Sequence, residues 1–250
     1  MENEAGSFVK SGVDAVLSAL GEMGLSAGSG ALQVVEGWFR FYEGWAGRRV
    51  VGFEDVGDMA VKLIADSFAL ERALGGTPAL GEGLTAIDLG SGNGWPGLAV
   101  KALLPRSSLA LLDSRLGACR FLQEYLREAG IPKVTVVPER AEKASKRPEH
   151  AGRYDLVTTR AMARPGVSLE LSAPFCALQG KVVLWLGPEY ESKVESKTEI
   201  PELGIRLTGL HKYGLAGGMG RRLLAVYVRT CDIARGYPRA LSSIRAKPLL

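Results

Sequence analysis

The chain has 250 residues, 46% hydrophobic and 23% charged, the profile of a soluble globular protein with room for one large α/β domain and an accessory segment. No apolar run approaches the ~20 residues that a membrane helix requires, and the acidic start MENEAGSFVK lacks the basic and apolar parts of an export signal. A cytoplasmic protein without a membrane partner is therefore expected.

Lysine and arginine number 31 against 27 acids, a formal charge of +4, and the excess is gathered rather than spread. Seven basic residues lie between Arg140 and Arg164, Arg221 adjoins Arg222, and Arg235, Arg239, Arg245 and Lys247 crowd the last stretch. Such clusters suit a phosphate backbone, although any one of them alone is ordinary solvated surface.

Residues 1 to 80 read as a helical N-terminal segment. In DVGDMAVKLIADSFALERAL the residues Val56, Met59, Ala60, Leu63, Ile64 and Phe68 form one apolar stripe at helical spacing. Asp55 is placed to cap it and Gly75-Gly76 to stop it. Trp38, Phe39, Phe41, Tyr42 and Trp45 are close enough in sequence to make a base-stacking platform, but at helical spacing they read as core.

From residue 84 short apolar runs alternate with helical ones: LTAIDL, SLALLD, KVTVV, YDLVTTR and KVVLWLG each precede a helical or charged segment. That alternation predicts a mostly parallel sheet covered on both faces, a Rossmann-like α/β domain over residues 81–232. IRLTGLHKYGL and RRLLAVYVR, joined by AGGMG, predict a hairpin and hence an antiparallel last strand. Residues 233–250 read as an irregular basic arm. Cys119, Cys176 and Cys231 are scattered and predict reduced, mostly buried thiols; His150 and His211 have no second ligand at metal spacing, so no metal is expected.

The first strand runs into DLGSGNGWPG, where a site is expected because ligands of parallel sheets sit beyond the carboxyl ends of the strands. Two patterns overlap there. Residues 92–97 fit the glycine fingerprint of a dinucleotide fold, with Asp113 at the spacing of a ribose-binding acid. Asp88, Gly90, Gly92 and Gly94 instead fit a loop with an acid at its root, which repels a pyrophosphate but suits the cationic ends of S-adenosyl-L-methionine. NAD and a purely structural turn remain the alternatives at this point. Asp113 would accept from ribose hydroxyls in either scheme.

DLGSGNGWPG, LLDS followed by CRFLQE, ERAEK, YDLVTTRAMA and the terminal YPRALSSIRAKPL stand in the order found in the RsmG (GidB) family, and over residues 40 to 250 the chain resembles it. Those proteins are class I S-adenosylmethionine-dependent methyltransferases that modify guanine N7 in 16S ribosomal RNA. The resemblance implies that Gly90 and Trp95 line the cofactor, Trp95 standing where the family usually has leucine. It implies Ala141 and Glu142 as the adenine-binding pair, Arg160 against the cofactor, and Arg140 on the cofactor or RNA side. Arg164, Arg221, Arg222, Arg239 and Lys247 would be phosphate contacts to ribosomal RNA or the small subunit.

The chain departs from the family pattern at RRVVG, where Asn-Leu-Thr is usual, and near Leu63, where a histidine is. It departs also at Leu186, at Arg222, and at Gly117-Ala118, where a basic pair is usual. These positions lie mostly outside the expected cofactor pocket. No Asp/Asn-Pro-Pro-Tyr/Phe motif follows the fourth strand, where TTRAMARP stands. This fits attack by N7, whose lone pair is free at neutral pH, and no catalytic residue is assigned. Methylation of a small molecule or protein, or cofactor binding without turnover, are the alternatives.

Overall fold

The computed structural model describes residues 2–47, 49–75 and 83–250, without the side chains of residues 2–5. Its first layer is helical. In α1 (Glu2–Glu22) and α2 (Ser29–Gly44) the buried Val16, Ala19 and Leu20 meet Ala31, Val35, Trp38 and Phe39. The aromatic group is core, as its spacing predicts. Trp38 and Phe39 are fully buried, and Trp38 stacks on Tyr42 at 5.1 Å and meets Phe121 edge-on at 6.4 Å.

A third rod follows. Asp55 caps α3 (Val56–Asp58) by accepting from the Asp58 amide at 2.9 Å, as expected. The rod continues through a π-helical stretch, Met59–Ala65, into α4 (Asp66–Phe68) and α5 (Leu70–Leu74). The sequence predicts an α-helical stripe here, so the π stretch corrects its pitch. Six of the seven residues from Met59 to Ala65 are buried, Lys62 alone excepted. A segment enclosed on nearly all sides has no single apolar face to keep in α register. Gly75 ends the rod in the left-handed region at φ 55°. Gly76, and the expected boundary between residues 80 and 81, lie outside the described residues.

The second half winds β1 (Thr85–Leu89), α6 (Gly97–Leu103), β2 (Ser108–Leu112), α7 (Leu116–Ala129), β3 (Val134–Val137), α8 (Ala141–Ala144) and β4 (Tyr154–Arg160). Then come α9 (Pro165–Ser172), β5 (Cys176–Leu186), α10 (Glu191–Ser196), β6 (Glu199–Ile200), β7 (Ile205–Gly214), β8 (Arg221–Arg229) and α11 (Leu241–Ala246). The sheet order is β3-β2-β1-β4-β5-β8-β7-β6. β1 to β5 pair in parallel and β8 runs antiparallel between β5 and β7, so the hairpin expectation holds.

Strand alternation divides two cores. Ala86, Leu111, Leu156 and Val183 face the layer of α1 to α7, while Ile87, Leu112, Val157 and Val182 face α8 to α11. The strand order reverses at β1, because β2 lies on one side of it and β4 on the other. A crevice therefore opens at the carboxyl ends of β1 and β4.

Cys119 and Cys176 are buried and Cys231 is exposed, so the thiols are mostly buried, as expected. A further expectation needs correction. The stretch expected as an irregular arm contains α11 and is tied to α9. Arg239 forks the fully buried Glu170 carboxylate, Nη2 to Oε2 at 2.6 Å and Nε to Oε1 at 2.9 Å, and also donates to the Lys247 carbonyl at 3.0 Å. Lys197 donates to the Leu249 carbonyl. Arg239 is thus a strut satisfying a buried acid, and the structure does not offer its guanidinium to a phosphate.

Candidate active site

The glycine loop is strapped to the end of β2. The amides of Gly90 and Ser91 both donate to the Leu112 carbonyl, at 2.8 and 3.0 Å, and the Gly92 amide donates to Asp113 Oδ2 at 2.8 Å. Ser91 Oγ closes the turn on the Asp88 carbonyl at 2.8 Å. Gly90 itself has φ 72°, and a Cβ there would stand 2.9 Å from Met162 Cγ, so a glycine is required on both counts.

Two clefts meet at this loop. The larger, 750 Å³, lies over the ends of β4 and β5, with Gly90, Trp95, Arg160, Arg164, Trp185 and Arg222 in its wall. The smaller, 390 Å³, lies over the ends of β1, β2 and β3, with Gly90, Asp113, Arg140, Ala141, Glu142 and Arg245 in its wall. Gly90, Arg115, Ala161 and Ala163 border both. The Gly90 backbone lies on the border between them, and a Cβ there would run into Met162 in the wall of the smaller one.

Arg160 is held at the rim of the larger cleft. Its guanidinium reaches Asp66 Oδ2 at 3.1 Å, the Leu63 carbonyl at 3.0 Å and the Trp95 carbonyl at 3.4 Å. Asp66, 2% exposed, accepts from Tyr213 Oη at 2.6 Å through its other oxygen, and its carbonyl accepts from Trp185 Nε1 at 2.9 Å. Burial drives the Tyr213 phenol well above its usual range, with the Asp66 charge adding to the effect, so it stays a donor to Asp66. Sequence reading found Arg160 but missed Asp66 and Tyr213. The signal was an acid standing inside the apolar run LIADSFAL.

In the smaller cleft the Asp113 carboxylate accepts from the Arg115 amide at 2.8 Å, and the Arg115 guanidinium covers it at 3.2 and 3.3 Å. Glu142 lies 4.0 Å from Arg140. The backbone amide of Arg140 donates to Glu139, which holds that carboxylate below its usual range, and Arg147 pairs with it at 2.8 Å.

Asp88, expected to face the cofactor, does not border either cleft. It points toward α6 and is fully buried, with Oδ1 accepting from Thr158 Oγ1 at 2.7 Å and Oδ2 without a partner. Strand alternation puts it on the face of Ala86, away from the loop's open side. Burial pushes its carboxyl up to about 7, against the lowering effect of Thr158, Ser91 and Arg160. Gly94 likewise turns inward, against Leu98 and Leu122. Trp95, 3% exposed, borders the larger cleft, while its ring packs against Trp38 and Phe68 and its buried Nε1 is unpartnered.

Of the expected phosphate contacts, Arg164 and Arg222 stand at the larger cleft and Arg140 at the smaller. Arg221 and Lys247 are exposed and border neither. Among the described residues no group of three or more His, Cys, Asp or Glu gathers to hold a metal, and no helix is long and apolar enough to cross a membrane.

The GidB family, described as rRNA small subunit methyltransferase G, matches residues 46–206. A Carboxydothermus hydrogenoformans protein named ribosomal RNA small subunit methyltransferase G is 34% identical over 167 residues, 66% of this chain and 71% of that one. One of the same name from Dehalococcoides mccartyi is 29% identical over 92% of this chain and 97% of its own. Among solved structures, a chain of the Haloferax volcanii complex between the Trm112 methyltransferase activator and a methyltransferase shares the fold. It has a TM-score of 0.51 at 15% identity, over 66% of this chain and 90% of that one.

Proposed function

This chain belongs to the GidB family, rRNA small subunit methyltransferase G, and from that premise we propose how its clefts serve the reaction. The enzyme transfers a methyl group from S-adenosyl-L-methionine to N7 of a guanine in small-subunit ribosomal RNA. The observation that carries the assignment of roles is the meeting of two clefts over Gly90, one acidic at Asp113 and Glu142, the other rimmed by Arg160, Arg164 and Arg222.

The residues present fit the cofactor. Asp113 and Glu142 are acceptors for a ribose diol and an exocyclic amine, the Ala141 backbone flanks the base, and Gly90 and Gly92 let the chain cross closely. Trp95 and Arg160 line the methionine side. Asp88 and Gly94 act behind the loop, holding its shape against β4 and α7. The bound cofactor supplies an electrophilic methyl on a sulfonium.

The protein's task is positioning. N7 carries its own lone pair, so no general base is needed, and none of the cleft residues is asked to move a proton. Bringing N7 in line with the methyl, in a site whose charges are already fixed, accounts for the acceleration. The Arg160–Asp66 pair supplies such a fixed charge, because its geometry is set before any ligand arrives.

Arg164, Arg222 and Arg221 contact phosphates of the RNA, with Arg140 and Lys247 at its margins. N7 lies in the deep, narrow major groove of A-form RNA, so the target guanine sits in a loop or in a partly assembled small subunit. The protein acts in the cytoplasm. The test is methyl transfer from labelled S-adenosylmethionine to small-subunit rRNA lacking the modification, with subunits in parallel. Aniline cleavage after reduction is expected at one 7-methylguanine. Labelling without cleavage would overturn the N7 assignment.

A further inference from the structure

Arg115 is absent from every role assigned so far, yet it borders both clefts. It sits two residues beyond Asp113, as the residue preceding α7, and its side chain folds back on its neighbour. Nε reaches Asp113 Oδ1 at 3.3 Å and Nη2 reaches Oδ2 at 3.2 Å. The contrast in exposure is large: the Arg115 side chain is 67% exposed while the Asp113 side chain is 5% exposed. The arginine is the cover under which this carboxylate is buried.

Asp113 has two kinds of partner. The amides of Gly92 and Arg115, each at 2.8 Å, belong to the backbone and hold the carboxylate in place whatever binds. The guanidinium occupies the outward side of both oxygens, the side from which a ribose diol must approach. Only the arginine of this pair is exposed, so its release is offset where a ribose diol takes its place on Asp113, which keeps its two backbone amides throughout. Once released, the charge stands at the border of the two clefts with no acid to neutralise it.

We propose that Arg115 is a latch joining the two substrates: in the free enzyme it neutralises Asp113, and when a ribose takes Asp113 it swings out to bind an RNA phosphate. This rests on the function proposed above, with Asp113 as the ribose acceptor. Linkage makes the effect mutual, so RNA that engages Arg115 also clears Asp113 for the cofactor. The cofactor-loaded enzyme therefore binds RNA with one more phosphate contact than the empty enzyme.

The test measures RNA affinity against salt, with and without saturating S-adenosylhomocysteine, for the wild type and for Arg115→Ala and Arg115→Lys. Calorimetry on each protein first gives the S-adenosylhomocysteine affinity alone. In the wild type S-adenosylhomocysteine is expected to steepen the log K against log salt slope by about 0.7 to 0.9, one phosphate contact. Arg115→Ala is expected to abolish that steepening while binding S-adenosylhomocysteine at least as tightly as the wild type. Arg115→Lys, which keeps the charge without the fork, is expected to retain it. S-adenosylhomocysteine binding with an unchanged wild-type slope, or with a slope change that survives in Arg115→Ala, would overturn the latch alone. Absence of S-adenosylhomocysteine binding in the wild type would overturn the cofactor reading and the latch together.

Discussion

Asp66 and Asp88 are both buried acids, and their surroundings give them opposite duties. Asp66 has a donor on each oxygen, Arg160 and Tyr213, so its charge is matched and its removal exposes a mismatch. Breaking one side of a buried pair costs about 3 to 5 kcal/mol, and Arg160 keeps two carbonyl partners at an open rim, so the lower end applies. Asp66→Asn is expected to lower stability by about 3 kcal/mol and S-adenosylhomocysteine affinity by about tenfold, read by thermal melts and calorimetry. Loss of stability with unchanged affinity would make the pair purely structural. Asp88 has an orphaned oxygen, and its carboxyl is raised to about 7. Its proton is therefore bound more tightly in the folded chain than in the unfolded one. Stability on this account is fully present below the usual carboxylate pKa of about 4 and is lost as pH rises through about 7. The loss is on the order of 4 kcal/mol, the rise from 3.8 to about 7 taken at about 1.4 kcal/mol per pH unit. Asp88→Asn is expected to flatten the decline in melting temperature between pH 5 and pH 8, whatever it does to the absolute value.

At the scale of elements, what could be read from the sequence is what periodicity and turn chemistry encode locally. The strands TAIDL, SLALL and YDLVTTR were legible because parallel strands buried on both faces are nearly continuous apolar runs. The cap at Asp55 was legible because capping is local. The π stretch was not, since Met59, Ala60, Leu63 and Ile64 satisfy an α stripe equally well, and only enclosure by neighbouring helices decides the pitch. Within the site, Gly90, Asp113, Ala141, Glu142 and Arg160 could be found from motifs, whereas the burial of Asp88 depends on which face of β1 meets α6. The docking of the last segment was equally hidden, because Glu170 and Arg239 are 69 residues apart and each looks like surface charge alone. That pair makes the segment testable. Arg239→Ala leaves a fully buried carboxylate without its counter-charge, with the backbone amide of residue 239 as its remaining donor, and is expected to cost about 3 kcal/mol, roughly 10 °C in melting temperature for a chain of this size. Adding Glu170→Gln removes the stranded charge and is expected to recover part of the loss. A double variant no more stable than Arg239→Ala would mean that the arginine acts by packing on Tyr237, which it stacks at 5.4 Å, and not by pairing.

Across the whole molecule the formal charge of +4 says little, but its placement relative to the sheet says more. The carboxyl ends of β4 and β5 gather Lys62, Arg160, Arg164 and Arg222 about one cleft, against Asp66 and Glu189. Asp66 and Arg160 cancel each other and Lys62 is paired with Asp58, which leaves Arg164 and Arg222 against Glu189, positive on balance. Arg206 is an exposed arginine at the far end of the sheet, opposite Val228 on β8, whereas Leu223 of β8 lies opposite the cleft end of β5. If the cleft rim reads an RNA backbone, each phosphate contact there adds about 0.7 to 0.9 to the salt slope of binding. Arg164→Ala and Arg222→Ala are each expected to reduce the slope by about that amount and the affinity at low salt several-fold, while Arg206→Ala leaves both unchanged. Equal effects from all three would mean that RNA is attracted by net charge rather than by this rim. An effect confined to Arg164 and Arg222, with S-adenosylhomocysteine affinity intact, would separate RNA recognition from cofactor binding on the two sides of Gly90.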